Sequence, residues 1–278
     1  MGTKETGETT PIEDLILSRF NEVNVEAINI IRQWRAGQKR VLDKVNANGA
    51  HDVVTDVDIT IESLTRQTFA DTIPVFGEEG FNNDAYVVEK PLYIVVDPID
   101  GTKEFAKGSN EWSISLCAVQ NGVPIVASIF MPDKGECFTA IKNKGVRLNG
   151  LPLKSQQANN GKIAVSPRQI KDPVFGESIR RTGLVAAEVS ALTPKICAIL
   201  RGEVQSAVYF PQDGQSAALW DYAAGVLLVQ EFGGRISSLC GADLPFRGAD
   251  IIHKKGWLAT REIDHTQLLA CLNSLGEL

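Results

Sequence analysis

The stretch YIVVDPIDGTKEF, residues 93–105, constrains the chain more than any other. Tyr93–Val96 is a short, continuously apolar run, the pattern of a strand buried on both faces of its sheet. It ends in Asp97 and Asp100, with Pro98 between them and Gly101 and Thr102 behind. Pro98 disfavours the α region at Asp97 and is expected to cut the strand off there. Around a tight turn the two aspartates can face one side together, as can the carbonyl of Ile99. Gly101 permits close backbone approach, and the amides of Gly101 and Thr102 are expected to open the next helix as an anion-binding end. The turn thus offers hard oxygen anions for a cation and N–H groups for a phosphate. For a D-x-x-D turn on its own, an N-cap with an Asx-turn is an equal explanation.

Other acidic residues shift that balance. PVFGEEG places Glu78 and Glu79 directly after another short β run, and VVTDVD places Asp56 and Asp58 at the expected start of a helix. Capping explains one such cluster more easily than three at the ends of apolar elements. Carboxylates brought together repel and raise one another's pKa unless a cation neutralises them. Oxygen ligands without nitrogen or sulfur suit Mg²⁺, Mn²⁺ or Ca²⁺. In LWDYAAG, Asp221 opens a helix, where a first-turn acid is favoured by the helix dipole alone. The small residues Ala223, Ala224 and Gly225 behind it allow close approach to another element.

Composition narrows the chemistry. Three histidines at 51, 253 and 265 have no paired spacing, so a zinc site or a histidine-based triad has little to be built from. The five cysteines are scattered without a C-x-x-C pair and read as reduced, structural thiols. A net charge of −6 argues against a nucleic-acid polymer as partner, which would need a basic face. No apolar run approaches the roughly 20 residues of a membrane span, so no membrane association is expected. The start lacks the pattern of a secretory signal and the cytoplasm is the expected compartment. The first residues do fit the myristoylation pattern M-G-x-x-x-[ST], which arises easily by chance.

Along the chain, residues 1–11 read as a flexible leader. Ile12, Leu15, Ile16, Val23, Ala27, Ile30, Ile31 and Trp34 recur near every 3.6 residues and Gly37 follows, predicting a helix over 12–36. A second helix is expected over about 57–70, then strands in PVFGEE, LYIVVD, SISLCAV, PIVASIF and ECFTAI. LKSQQANNGK, near 153–162, reads as the connection between an α+β half at 12–150 and an α/β half at 151–278. Beyond it, strands are expected in KIAVS and QSAVYF, with helices around 173–182, over 191–201 and through SAALWDYAAGVLLVQEF up to Gly233-Gly234.

With the GEE at 77–79, the DPIDGT at 97–102, the WDYAAG…EFGG at 220–234 and the VTDVD at 54–58 assembled, the chain resembles the inositol monophosphatase-like family of metal-dependent phosphomonoesterases. The ordered motifs span about residues 40–240. The resemblance implies an α/β (α+β) fold, a layered α-β-α-β-α sandwich, and roles for individual residues. Glu78, Asp97 and the Ile99 carbonyl would hold one Mg²⁺; Asp97, Asp100 and Asp221 a second; a third would sit near Glu78 through water. Asp58 and Thr102 would orient the attacking water, the amides of Gly101 and Thr102 would hold the phosphate, and Glu79 would stand behind the ligands. A small phosphorylated substrate and a homodimer are the expected partners.

The KEF after DPIDGT and NEWSISLCAVQNGVPIVASIFMP resemble the 3′(2′),5′-bisphosphate nucleotidases of the CysQ type more than the inositol monophosphatases, where TNF is usual. Lys103, Lys195 and Arg168 are then candidate contacts to a phosphorylated substrate, the two lysines with a solvated surface cation as their bland alternative. The nucleotidases' SRSH-like and GSSLKF-like stretches are SPRQ at 166–169 and SALTPKI at 190–196 here, and FPQDGQSAALWD is slightly longer than usual. The expected activity is hydrolysis of 3′-phosphoadenosine 5′-phosphate to AMP and phosphate. The alternatives are an inositol monophosphatase, a histidinol phosphatase or a sugar phosphatase with the same metal chemistry, or a non-catalytic metal-binding regulatory protein.

Overall fold

A computed structural model describes residues 10–37, 40–45, 51–70, 72–80, 85–154, 160–211, 217–248, 251–253 and 256–275 of the chain. The myristoylation pattern and residues 1–9 of the leader lie outside the described residues, as do residues 155–159 of the connecting stretch and 212–216 of FPQDGQSAALWD.

The first helix, α1 (Ile12–Ala36), buries Ile16, Phe20, Val23, Ala27, Ile31 and Trp34 along one face, while Ile12 and Leu15, which the spacing also counts to it, are exposed in its first turn. An antiparallel pair follows, β1 (Val41–Val45) and β2 (His51–Thr55), leading directly into α2 (Asp56–Phe69). Next comes a seven-stranded sheet among the described residues, laid out in chain order: β3 (Val75–Gly77), β4 (Leu92–Asp100), β5 (Ser113–Gln120), β6 (Val123–Met131), β7 (Glu136–Ile141), β8 (Val146–Leu148) and β9 (Leu151–Pro152). β3 runs parallel to β4 and the remaining neighbours are antiparallel. A short helix, α3 (Thr102–Ala106), joins β4 to β5.

β4 is apolar without a break from Leu92 to Val96 because it faces two cores there. Ile94 and Val96 pack with α1 and α2 residues such as Phe20 and Ile61, while Tyr93 and Val95 pack with Trp220 and Leu228 on the opposite face. Period-two alternation is therefore present and hidden, since both faces are buried. Pro98 does not end the strand. β4 runs on to Asp100, and its register slips: Asp97 lies opposite Ser115 and Asp100 opposite Ser113, three steps along one strand for two along the other. This bulge accommodates a residue that has no N–H to give to the ladder.

A five-stranded sheet follows, also among the described residues, built from β10 (Lys162–Val165), β11 (Val185–Glu188), β12 (Ser206–Tyr209), β14 (Arg235–Ser238) and β16 (Trp257–Thr260) in the order β11-β10-β12-β16-β14. The intervening elements are α4 (Pro167–Lys171), α5 (Pro173–Arg181), α6 (Leu192–Leu200), α7 (Leu219–Glu231) and, after β16, α8 (His265–Leu272). Ala217–Ala218 does not belong to the helix that the sequence suggests there; it forms β13, which pairs with β15 (Ile252–His253). α6 and α7 share one buried cluster with both sheets, taking in Ala127 and Ile129 on one side and Ala207 and Trp257 on the other. Ile163, Val165, Val208 and Leu258 face the other way, onto Ile179 of α5 and Leu268 of α8. The layers run α, β, α, β, α, the α/β sandwich the sequence leads one to expect. No helix among the described residues is long and apolar enough to cross a membrane.

The outer layer contains a buried titratable group. His265, at the start of α8, lies between the Ser237 hydroxyl, 2.8 Å from Nε2, and the Thr260 hydroxyl, 2.8 Å from Nδ1. Burial, helped by Arg235, lowers its pKa to about 4. The native state therefore stays neutral where the unfolded chain already binds a proton. Stability is full above the unfolded value near 6.5 and is lost as pH falls towards 4, by about 2 to 3 kcal/mol. Urea titrations at stepped pH should show that slope in the wild type and a flatter one in His265→Asn. Equal slopes would contradict the assignment.

Candidate metal centre

The centre is built where β4 bulges. Parallel pairing sets Gly77 opposite Val96, and the Glu78 N–H donates to the Val96 carbonyl at 3.3 Å. Glu78 therefore leaves its strand at the level of Asp97. Asp97 and Asp100 are both buried, at 2% and 7% exposure. Gly101 heads α3 with φ +93°, and an added Cβ there would lie 2.9 Å from Ala191 Cβ and 3.0 Å from the Glu111 carbonyl. Only glycine fits both the left-handed backbone and the space.

Asp58 is the third residue of α2 and has no exposed surface. Its Oδ2 accepts from the Thr55 N–H at 2.8 Å and the Thr55 hydroxyl at 2.5 Å, closing a capping box. Its Oδ1 faces the Thr102 hydroxyl at 3.1 Å, and that hydroxyl lies 3.0 Å from the Ile99 carbonyl. Three residues predicted for the site from two separate motifs, Asp58 from one and Ile99 and Thr102 from the other, thus meet at one hydroxyl group.

Asp100 and Asp221 are engaged by backbone donors at two helix starts. Asp100 accepts from the Leu192 N–H at 3.2 Å, from the Thr193 hydroxyl at 2.6 Å and from the Thr193 N–H. Burial pushes its pKa up, and the bonds from Thr193 and Leu192 and the charge of Lys195 oppose that shift. Asp221 Oδ2 accepts the Ala218 N–H at 2.7 Å across the first turn of α7. The rings of Phe76 and Trp220, 5.6 Å apart, hold that turn beside the end of β3. Gly225 packs on Ile196, the close approach that the small-residue run anticipates.

Lys195 narrows the sequence reading. It is not the surface lysine that stood there as the alternative, because it has no exposed surface. Its ammonium donates to Ser166 Oγ at 2.8 Å. Burial lowers its pKa to about 8, against the attraction of Asp100, Glu104 and Asp221. Lys195 therefore acts electrostatically on two of the predicted ligands from behind them. Lys103 and Arg168 are exposed, on α3 and α4.

Backbone pairing sets Glu78 at the level of Asp97, Asp58 meets Thr102 and the Ile99 carbonyl at one hydroxyl, and Lys195 feels the charge of both Asp100 and Asp221. Among the described residues, no three His, Cys, Asp or Glu side chains converge closely enough to hold an ion in this geometry. The donor chemistry fits a hard divalent cation, since every predicted ligand offers oxygen and Asp97 and Asp100 are buried acids a few residues apart on one strand. Sequence reasoning missed Thr193, which holds Asp100, and Glu62, which holds the backbone of Glu79. Glu62 had a signal, standing four residues after Asp58 on the buried face of the same helix.

The five-layered α/β sandwich thus sets two buried aspartates at the bulge of β4. The chain belongs to the inositol monophosphatase family, whose model matches residues 15–276. It is similar to Nus factor SuhB of Escherichia coli, 30% identical over 220 residues, covering 72% of this chain and 77% of that protein. It is also similar to inositol-1-monophosphatase ImpA of Mycolicibacterium smegmatis, 29% identical over 82% of both chains. Among solved structures, an IMPase/NADP phosphatase complexed with NADP and Ca²⁺ superposes with a TM-score of 0.81 at 19% identity, over 97% of this chain and 99% of that one.

Proposed function

We propose that the chain is a divalent-cation-dependent phosphomonoesterase, using two or three Mg²⁺ ions, and that its substrate is a 3′(2′),5′-bisphosphate nucleotide such as 3′-phosphoadenosine 5′-phosphate. The meeting of Asp58, Thr102 and the Ile99 carbonyl beside Asp97 and Asp100 carries this reading. When bound, the cations would neutralise the phosphate and lower the pKa of a water from about 15.7 towards 7. Glu78, Asp97, Asp100, Asp221 and the Ile99 carbonyl would hold them, so the ligand set draws on both the 12–150 and the 151–278 halves. Thr102 donates a hydrogen bond to Asp58 Oδ1, which leaves its lone pairs to accept a hydrogen bond from water. As the water attacks, its proton would pass to Thr102 Oγ while the Thr102 hydroxyl proton passes to the Asp58 carboxylate. The N–H groups of Gly101 and Thr102 orient the phosphate. Histidine has no part in this scheme, and no covalent intermediate is required.

The nucleotide assignment rests on KEF after DPIDGT and on Lys103 and Arg168 as exposed cations. It is supported by structural neighbours crystallised with NADP and with 2′AMP, both carrying phosphate on a nucleotide ribose. Another neighbour holds inositol monophosphate, which makes that ester the nearest rival. A release assay with Mg²⁺ titrated in should rank the bisphosphate nucleotide above inositol monophosphate, histidinol phosphate and sugar phosphates. Comparable release from inositol monophosphate, with none from the nucleotide, would move the assignment to the rival. No release from any of them at saturating Mg²⁺ would favour a non-catalytic role, a reading to which the relatives named Nus factor give weight.

A further inference from the structure

The side chain of Glu62 is buried, at 3% exposure, on the same helix that presents Asp58. Its Oε2 accepts the Glu79 N–H at 2.8 Å, and its Oε1 pairs with Arg66 at 2.7 and 3.1 Å. Arg66 in turn donates to the Val75 carbonyl at 3.1 Å, at the start of β3. Gly77 closes the arrangement from the other side: a Cβ there would lie 2.4 Å from the Glu62 carboxylate. One carboxylate and its arginine thus hold both ends of the VFGEE segment to α2.

Glu62 is buried and Arg66 is partly exposed, and such an ion pair is weak evidence for stability, because a well-packed apolar pair of similar volume is often as stable. It does fix geometry. The pair joins two segments that the sequence separates, the start of α2 with Asp58 and the turn with Glu78. We propose that Glu62 is a positioning residue that sets Glu78 and Asp58 at a fixed separation, and that cation affinity depends on it; this rests on the phosphatase reading above. Residues that stand behind metal ligands and orient them typically change affinity by 10- to 100-fold when altered.

The test is Mn²⁺ binding by calorimetry, with urea unfolding alongside, for wild type, Glu62→Gln and Gly77→Ala. Glu62→Gln removes the charge that holds Arg66. Gly77→Ala keeps that charge and displaces it. Both variants are expected to unfold cooperatively and to bind Mn²⁺ about 10- to 100-fold more weakly. Wild-type affinity in either folded variant would overturn the proposal, as would loss of cooperative unfolding in both, which assigns Glu62 to stability alone. Absence of Mn²⁺ binding by the wild type would instead overturn the phosphatase reading on which the proposal rests.

Discussion

Asp97→Asn is expected to lower phosphate release by about three orders of magnitude while unfolding stays cooperative. Asp97 occupies the bulge of β4, between Ile94 and Val96 of one core and the outgoing turn, at 2% exposure. Asparagine matches its volume, so packing is preserved and only the charge is lost. Lewis-acid stabilisation of the phosphoryl transition state is worth several kcal/mol, on the order of 10³-fold in rate at 1.36 kcal/mol per decade. Asp100→Asn should behave alike in rate with an added loss of stability, because Asp100 also receives the N–H groups that open α6. Steady-state kinetics and urea titration separate the two effects. Near-wild-type turnover in Asp97→Asn would remove it from the ligand set.

The second large effect is expected at the Thr102 hydroxyl, where two motifs meet. Asp58→Asn should lower kcat by about 10²- to 10⁴-fold, the usual contribution of a positioned acid–base group, with KM changed far less. A cost of about 1 kcal/mol in stability should accompany it, because Asp58 also closes the capping box with Thr55. Thr102→Val removes the other partner of the same bond. If the two act as one unit, the double variant loses little more than either single one. Additive losses in a double-mutant cycle would mean that the bond has no joint role.

What was legible in the sequence follows from how local each determinant is. The helices at 12–36 and 56–69 are readable because a single face is buried, which imposes a 3.6-residue pattern. β4 is readable as a strand buried on both faces, yet its end is not. The rule that Pro98 stops a strand is a statement about ladder bonds, and a bulge makes the ladder bond unnecessary there. Short strands such as Val185–Glu188 and Arg235–Ser238 carry little pattern and are placed by their neighbours in the sheet. The candidate acids stood out because carboxylates at the ends of apolar elements are costly without a purpose. The burial of Lys195 was not legible because it is a property of the assembled layers: inside LTPKICAIL, a lysine facing solvent and one facing Ser166 look the same.

Glu62 shows the same limit from the other side. Its spacing from Asp58 is visible in the chain, but its purpose appears only when β3 comes to lie against α2 and brings the Glu79 N–H within reach. A contact made across seventeen residues leaves no local trace.

Anomalous scattering from crystals of the wild type soaked in Mn²⁺ tests the central claim most directly. Peaks in contact with the carboxylates of Asp97 and Asp100, with Glu78 or Asp221 completing the coordination, are the predicted result. A fully occupied Mn²⁺ site elsewhere in the molecule, with none at the β4 bulge, would contradict it.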